Sequence, residues 1–186
     1  TAMRIIGGTH KGRRFNPPAD HWPTRPTTDI AKEALFNILN NRLDFEETRM
    51  LDLFGGTGSH CYEFLSRGCP EATYVDKFAP AVRFVRKTAA ELGFADRLRI
   101  FQMDVFRFIE SAREQYDFIF AGPPYGLPTI DLLPDLIIPK NLLRPEGIFV
   151  LEHNQHHEFL EHPNLSDVRR YGKTWFSFFE PEPEKS

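Results

Sequence analysis

Short apolar runs alternate with helical segments along most of this chain, and this feature restricts the possible folds most strongly. Between residues 50 and 152, five apolar runs of strand length are separated by segments with helical spacing. Strands that alternate with helices form a mainly parallel sheet with helices on both faces. Such sheets bind ligands beyond the carboxyl ends of their strands, near the point where the strand order reverses. The pattern therefore predicts an α/β protein with its site at that edge.

The pattern also places each element. Strands are predicted at 50–54, 72–76, 98–102, 117–121 and 148–152. Helices are predicted from Thr28 to just before Asn40, then over 59–67, 79–92, from the end of the third strand to about 112, and over 130–138. A final hairpin of residues 165–171 and 174–180, with its turn at Gly172 and Lys173, brings the sheet to seven strands.

The amino-terminal part has a different character. Glycines and prolines interrupt residues 1–27, which predicts a small β-hairpin followed by an irregular arm. Residues 28–180 form the predicted main domain, and 181–186 form a frayed tail. Residues 1–28 contain one acidic residue against five basic ones, while the whole chain has a net charge of −3. The asymmetry predicts a polyanionic partner, with a merely solvated surface as the alternative. The candidate RNA-binding residues of this arm are Arg4, Lys11, Arg13, Arg14 and Arg25.

Composition excludes several classes of protein. Hydrophobic residues make up 41% and charged residues 26% of 186 residues, as in a globular domain and unlike a disordered chain. No apolar run approaches the roughly 18–20 residues of a membrane span, and residues 1–8 lack the apolar region of a secretory signal. We therefore expect a cytoplasmic monomer without membrane contact, whose two cysteines are free thiols.

A glycine-rich turn follows the first predicted strand. It reads Asp52-Leu53-Phe54-Gly55-Gly56-Thr57-Gly58-Ser59 and leads into a helix. Such a turn brings backbone N–H groups and the positive end of a helix to a ligand, without side chains in the way. A dinucleotide fingerprint needs a further glycine at position 61, where this chain has Cys61, so pyrophosphate binding is disfavoured. A tight turn without a ligand is the structural alternative.

Acidic residues end the next two strands. Asp76, followed by Lys77, is placed to bind the hydroxyls of a ribose. Asp104, followed by Val105, is placed to accept from the amine of an adenine, with Val105 packing on the ring. A helix N-cap explains Asp104 equally well, and a solvated strand end is the alternative for Asp76.

The fourth strand leads into Gly122-Pro123-Pro124-Tyr125. Two consecutive prolines stiffen this loop, and Tyr125 offers a flat face on which a base can stack. After the fifth strand come three histidines, His153, His156 and His157. We expect them in a solvent-facing loop and assign no metal, because no third ligand or cysteine cluster accompanies them.

In chain order, these four features resemble the S-adenosylmethionine site of Class I methyltransferases, from about Thr28 onward. The resemblance implies a Rossmann-like fold: a mostly parallel seven-stranded sheet with helices on both faces, preceded by the hairpin arm. It implies S-adenosylmethionine as the cofactor and assigns the proline loop, residues 122–125, to catalysis. The residues implied to bind the cofactor are Asp52, Phe54, Gly55, Gly56, Gly58, Asp76, Lys77, Asp104, Val105 and Thr28, with Thr27 as the alternative to Thr28.

The chain also resembles a narrower group, the RsmD family, over nearly all of residues 3–180, and the amino-terminal segment carries the most specific motifs. The resemblance rests on MRIIGG at 3–8, GRRF at 12–15, TRPTTD at 24–29 and EALFNIL at 33–39. It implies methylation of the N2 amine of one guanine in small-subunit ribosomal RNA, either free or in an assembling subunit. Amino methylation of DNA or of a protein glutamine uses the same loop and stays open as a second hypothesis.

One position departs from the family pattern. The proline loop of the family begins with Asp, and this chain has Gly122 there. A carboxylate at that position would accept a hydrogen bond from the target amine, and glycine offers only its backbone carbonyl. The sequence leaves four readings: a slow enzyme, a substitute acceptor elsewhere, a cloned variant, or an inactive RNA-binding homologue.

Overall fold

A computed structural model of the protein describes residues 2–181. Seven strands of the described residues form one sheet: β3 (Arg49–Leu53), β4 (Glu71–Asp76), β5 (Leu98–Gln102), β6 (Tyr116–Ala121), β7 (Leu143–His153), β8 (Leu165–Tyr171) and β9 (Thr174–Phe179). Their order is β5-β4-β3-β6-β7-β9-β8. The pairs β3–β4, β4–β5, β3–β6 and β6–β7 are parallel, and β9 is antiparallel to both β7 and β8. The strand order reverses between β3 and β6, which places the expected ligand site beyond the ends of these two strands.

Five α-helices connect the strands. They are α1 (Asp29–Asn40), α2 (Ser59–Ser66), α3 (Ala79–Leu92), α4 (Val105–Ser111) and α5 (Leu133–Ile137). The Thr28 side chain caps α1 by accepting from Ala31 N, 3.3 Å away. Helix α3 has a proline in its first turn and ends at Gly93, whose φ of +77° is the left-handed conformation that favours glycine. Local sequence signals therefore fix both ends of α3, as predicted.

Successive side chains along the strands point into two hydrophobic cores in turn, and one core lies on each face of the sheet. Along β6, Phe118 and Phe120 belong to the first core, while Ile119 and Ala121 belong to the second. Residues of α1, α2 and α3 fill the first core, and residues of α4 and α5 fill the second. Since successive side chains of a strand point to opposite faces, helices cover the sheet on both sides. The predicted layer arrangement is thus confirmed.

The amino-terminal hairpin consists of β1 (Met3–Arg4) and β2 (Arg14–Phe15), which pair antiparallel. Its connecting segment packs on α2, where Glu63 accepts from Ile6 N and Gly7 N at 2.9 Å each. The hairpin tip reaches the carboxyl end of α2, since Thr9 N donates to Ser66 O at 2.7 Å. Because α2 starts at the carboxyl edge of the sheet and runs back, the tip lies at the opposite edge.

Most element boundaries agree with the sequence prediction to within one or two residues, and two elements differ more. Strand β7 begins at Leu143 rather than near 148, because Leu143 already pairs with Tyr116 of β6, and the register then shifts before regular pairing resumes at Ile148. The segment predicted as one helix over 130–138 is a 3-10 turn at Ile130–Leu132 followed by α5. Of the predicted tail, residues 182–186 lie outside the described part of the chain. Within residues 2–181, no helix is long and apolar enough to cross a membrane.

Candidate active site

Two adjacent cavities lie at the carboxyl edge of the sheet. The inner cavity, about 30 Å³, is lined by Asp52, Gly55, Gly122 and Glu152 among others. The wide cleft beside it, about 450 Å³, is lined by Asp76, Lys77, Asp104, Val105 and Pro124 among others. Thr24 and Phe54 line both cavities. The structure thus brings the carboxyl ends of five strands, β3 to β7, together around these two cavities, and the sequence pattern predicts this gathering at the carboxyl edge.

The backbone of the glycine turn lines the inner cavity, because Gly55 and Gly56 have no side chains. A Cβ on Gly55 would lie 2.3 Å from the ring of Tyr74, so no larger residue fits there. Gly58 has a φ of +79°, and Phe54 has a φ of +59°, a conformation that non-glycine residues rarely adopt. Tyr74 donates to the carbonyl of Gly56 at 2.7 Å and so fixes the turn from below. These contacts hold the glycine turn in one conformation.

Asp52 lies beneath the turn and is 1% exposed. Its Oδ2 accepts from the Cys61 thiol at 3.4 Å, whereas its Oδ1 has no partner within the described residues. Burial, reinforced by the nearby charges of Asp76 and Glu152, raises the pKa of Asp52 well above its usual range. Ser59 Oγ and His60 Nδ1, which belong to residues lining the same inner cavity, are also without a partner in the described part of the chain. Unpartnered buried polar atoms are rare, and this group of three indicates a polar ligand.

The two acidic strand ends line the wide cleft but differ in their hydrogen bonds. Asp76 accepts from Gly56 N and from Phe78 N, both at 2.9 Å, and so joins the glycine turn to the next strand end. Burial nevertheless raises the pKa of Asp76. Asp104 accepts from Phe106 N at 2.9 Å and caps α4, which is the alternative that its position suggested. Its capping role still leaves Asp104 on the wall of the cleft.

The proline loop closes the opposite side of these cavities. Gly122 N donates to Leu53 O at 3.3 Å, which ties the loop to the strand before the glycine turn. Pro123 is buried, Pro124 lines the wide cleft, and Tyr125 is partly exposed. The Tyr125 hydroxyl donates to Glu152 Oε2 at 2.9 Å. Burial and the nearby Glu152 raise the pKa of Tyr125, so this phenol is neutral.

Sequence reasoning missed a buried polar network centred on Glu152. Glu152 is 4% exposed and also accepts from the Thr27 hydroxyl through Oε1. Thr27 Oγ1 lies 3.0 Å from His60 Nε2, and because its single proton goes to Glu152, His60 must donate. Burial raises the pKa of Glu152 and lowers that of His60 to about 3. An acidic residue at the end of the fifth strand was the available signal, because the same pattern identified Asp76 and Asp104.

Of the two threonines that the resemblance offered, Thr27 lines the inner cavity and Thr28 does not. Thr28 is exposed and caps α1, whereas Thr27 is buried and lines the inner cavity. Thr28 instead lines a third cavity, the hairpin cleft, of about 500 Å³. This cleft lies between the arm and the β8–β9 hairpin and is lined by Arg25, Pro26, Thr28, Tyr125, Asn154, Gln155, His156, Gly172, Lys173, Thr174 and Trp175.

The predicted basic residues are spread over the surface. Arg25 lines both the inner cavity and the hairpin cleft. Arg4 lies 3.6 Å from Asp29 in a surface ion pair at the start of α1, and its strand neighbour Arg14 is exposed. Lys11 and Arg13 are exposed on the other part of the hairpin, with Lys11 at the tip, away from the site. Only Arg25 is thus brought to the cavities.

The histidines after β7 are not all in a solvent-facing loop, which corrects the sequence prediction. His153 is 1% exposed, and its Nε2 lies 2.7 Å from Ser177 Oγ. His157 lies 2.8 Å from Asp131 at the surface. Strand β7 runs one residue further than predicted, so His153 is its last residue and points into the fold. The described residues contain no group of three His, Cys, Asp or Glu side chains arranged to hold a metal ion.

Comparison with known proteins identifies relatives of this chain. The family model described as Conserved hypothetical protein 95 matches residues 3–180. A putative ribosomal RNA methyltransferase of Bacillus subtilis is 33% identical over 162 residues, covering 86% of each chain. The ribosomal RNA small subunit methyltransferase D of Escherichia coli is 34% identical over 150 residues, covering 81% of this chain and 74% of the relative.

A solved structure supports the fold independently. A putative methyltransferase from Escherichia coli superposes with a TM-score of 0.84 at 24% identity, covering 99% of this chain and 100% of that one. This likeness confirms the predicted Rossmann-like methyltransferase fold with its seven-stranded sheet and amino-terminal hairpin. With the family model matching nearly the whole chain, this protein belongs to the RsmD family of methyltransferases.

Proposed function

We propose that this protein transfers a methyl group from S-adenosylmethionine to the N2 amine of a guanine in small-subunit ribosomal RNA. One observation carries the proposal: the glycine turn and the first residue of the proline loop, Gly122, line the same inner cavity, and Phe54 and Thr24 line both this cavity and the wide cleft beside it. A methyl donor and an acceptor base must meet at such a point. The relatives named as ribosomal RNA methyltransferases support the substrate class.

The residues at the site fit the donor. Asp52 Oδ1, Ser59 Oγ and His60 Nδ1 are the unpartnered polar atoms that a charged amino-acid end requires. Asp52 and His60 present acceptors, as an ammonium group needs. The wide cleft, walled by Phe54, Phe106 and Pro124 and carrying Asp76, suits a nucleoside. We assign the ammonium end to the inner cavity and the adenosine to the wide cleft.

Catalysis of this kind requires little chemistry from the protein. The sulfonium of the bound donor supplies an activated methyl group, and the residues of the chain hold the reactants in line. The rigid glycine turn and the stiff Pro123-Pro124 pair fix the two sides of the reaction space, while Tyr125 offers a stacking face for the base. The N2 amine of a stacked guanine is difficult to reach, so the target base has to leave its stack.

The hairpin cleft is the surface that the RNA reaches first in this proposal. It borders Tyr125 and carries the cations Arg25 and Lys173 beside the indole of Trp175. The guanidinium carbon of Arg170 lies 4.1 Å from the centre of the Trp175 ring and adds positive charge to this surface. Cations with exposed aromatic rings are the usual means of binding single-stranded RNA.

Two other functions remain distinguishable by experiment. Amino methylation of DNA or of a protein glutamine would use the same donor site, and an RNA-binding homologue without activity would follow from Gly122.

We would offer methyl-labelled S-adenosylmethionine with small ribosomal subunits from cells lacking the gene, with duplex DNA, and with bulk protein. The proposal expects label at one guanine of the small-subunit RNA. Label only in DNA or protein contradicts it, and donor binding without any transfer favours the inactive homologue.

The charged surface has its own test. Replacing Arg25 with Gln removes one cation beside the site, and we expect the slope of log affinity against log salt to flatten by about 0.7–0.9. Lys11→Gln is the matched control, because Lys11 lies at the hairpin tip on the opposite edge. Equal effects of both variants would show that the RNA contacts the whole hairpin instead of the hairpin cleft.

A further inference from the structure

Strand β7 places a carboxylate beside Gly122. Ala121 pairs with Leu151 in the parallel register of β6 and β7, so Gly122 and Glu152 follow at the same level. Phe120 and Val150 both belong to the first core, and side chains alternate along a strand. Gly122 and Glu152 therefore share that face of the sheet, and both line the inner cavity.

The contacts of Glu152 hold its carboxylate in one position without satisfying it completely. Thr27 donates to one oxygen, and Tyr125 donates to the other at 2.9 Å. A carboxylate has about four acceptor sites, so each oxygen keeps a free lone pair. Tyr125 is also the residue proposed to stack on the target base. The carboxylate is consequently fixed next to the expected position of the reacting amine.

We propose that Glu152 is a catalytic residue that accepts the hydrogen bond of the target amine, the role for which Gly122 has no side chain. The inference rests on the proposed function and adds a residue to it. The amine lone pair is delocalised into the ring, and a carboxylate on one N–H bond directs that pair toward the methyl carbon. As the N–C bond forms, the electrons of the S–C bond remain on sulfur. The proton lost from nitrogen passes to Glu152 and then to solvent.

The first test replaces Glu152 with Gln. A hydrogen bond to a charged group made in the transition state changes the rate by roughly ten- to a hundredfold, so kcat should fall by this factor. The affinity for S-adenosylmethionine, measured by calorimetry, should stay unchanged. Glu146→Gln is the matched control, because Glu146 is an exposed residue of the same strand. An unchanged kcat in Glu152→Gln overturns the inference.

A double-mutant cycle with Gly122→Asp tests whether the two positions share one role. The new Cβ would lie 3.1 Å from the Phe120 ring, which needs only a small ring shift. If Glu152 already serves as the acceptor, Gly122→Asp should raise kcat far more in the Glu152→Gln background than in the parent chain. The same factor in both backgrounds would show independent roles and reject the inference.

A pH profile covers the case in which Glu152→Gln does not fold. The ionisable groups around Glu152 are Tyr125 on the loop, Asp52 on β3, Arg25 on the arm, and His60 behind Thr27. At saturating donor, kcat should fall as the pH drops through the raised pKa of Glu152. Thr27→Val removes a bond to the ionised form and should move this fall to higher pH, with an unmoved profile counting against Glu152.

Failure of this inference is separable from failure of the proposed function. If the parent chain binds S-adenosylmethionine but labels no RNA, the proposed function is wrong. If the parent chain labels RNA and Glu152→Gln labels it equally fast, only the role of Glu152 is wrong.

Discussion

Two buried carboxylates of similar depth, Glu63 and Asp52, have opposite surroundings. Glu63 on α2 is fully buried, with Lys32 Nζ at 3.1 Å and Arg67 Nε at 2.9 Å. It also accepts from two backbone N–H groups of the hairpin arm. Asp52 has the Cys61 thiol at 3.4 Å, and its second oxygen has no partner among residues 2–181.

The difference separates a structural charge, that of Glu63, from the charge of Asp52, which we propose binds the donor. Burial would raise the pKa of Glu63, but Lys32, the backbone of Ile6 and Arg67 together lower it. Nothing comparable compensates Asp52, whose pKa is raised. A buried carboxylate without a partner costs stability unless a ligand supplies the missing charge. One carboxylate is therefore satisfied and attaches the arm, while the other keeps an unpartnered oxygen, as its proposed binding of a cationic ligand group requires.

The largest expected effect is the loss of the structural charge. Glu63→Gln leaves the fully buried Lys32 without its counter-charge and weakens the contacts to the arm. Breaking a buried ion pair typically costs about 3–5 kcal/mol, so we expect a loss of that size in the free energy of unfolding, measured with urea at neutral pH. Glu91→Gln breaks an exposed pair with Lys87 and should change stability by less than about 0.5 kcal/mol. Similar losses in both variants would contradict the comparison.

Replacement of Asp52 should have the opposite effect on stability. Asp52→Asn removes an uncompensated charge, so the protein without ligand should become more stable and its melting temperature should rise. Loss of a charged hydrogen bond of about 1.5–3 kcal/mol should weaken S-adenosylmethionine binding by roughly ten- to a hundredfold. Differential scanning calorimetry and titration calorimetry measure the two effects. A variant that is less stable and binds normally would make Asp52 a structural residue.

The pH dependence of stability should have opposite signs for the two carboxylates. The folded-state pKa of Glu63 is lowered, so its contribution is present above the unfolded pKa and is lost as the pH falls. The folded-state pKa of Asp52 is raised, so its ionisation destabilises the fold as the pH rises above the unfolded pKa. In Glu63→Gln, the free energy of unfolding should fall less steeply than in the parent chain as the pH is lowered. In Asp52→Asn, it should fall less steeply than in the parent chain as the pH is raised toward neutral. Urea titrations from acid to neutral pH measure both slopes.

The sequence predicts the framework of the site well, because that framework depends on local signals. Apolar runs and helix caps determine where strands end, and the ends of parallel strands meet at one edge. Asp52, Asp76 and Asp104 could therefore be placed together without a structure, and the glycine turn and proline loop with them. The roles assigned to these residues remain predictions.

The sequence does not predict the contacts that depend on packing between distant segments. Thr27 and Glu152 are 125 residues apart and meet only because the arm returns across the carboxyl edge. The burial of Glu63 and Lys32 depends in the same way on the hairpin crossing α2. The sequence predicts that α1 starts at Thr28, but which of Thr27 and Thr28 reaches the inner cavity depends on the path of the arm.

The smallest expected effect concerns the hydrogen bond from the Cys61 thiol, the one bond that the Asp52 carboxylate makes within residues 2–181. The Cys61 thiol is a weak donor at 3.4 Å and favours the ionised carboxylate. Cys61→Ala removes this donor and should raise the pKa of Asp52 further, so donor binding should require a higher pH. Cys61→Ser keeps a donor and is the matched control.

The affinity for S-adenosylmethionine at neutral pH should fall by less than about tenfold in the alanine variant, because a single neutral hydrogen bond contributes only about 0.5–1.5 kcal/mol. Calorimetric titrations across pH distinguish the two variants, and identical profiles would show that Asp52 relies on the ligand alone for its partner.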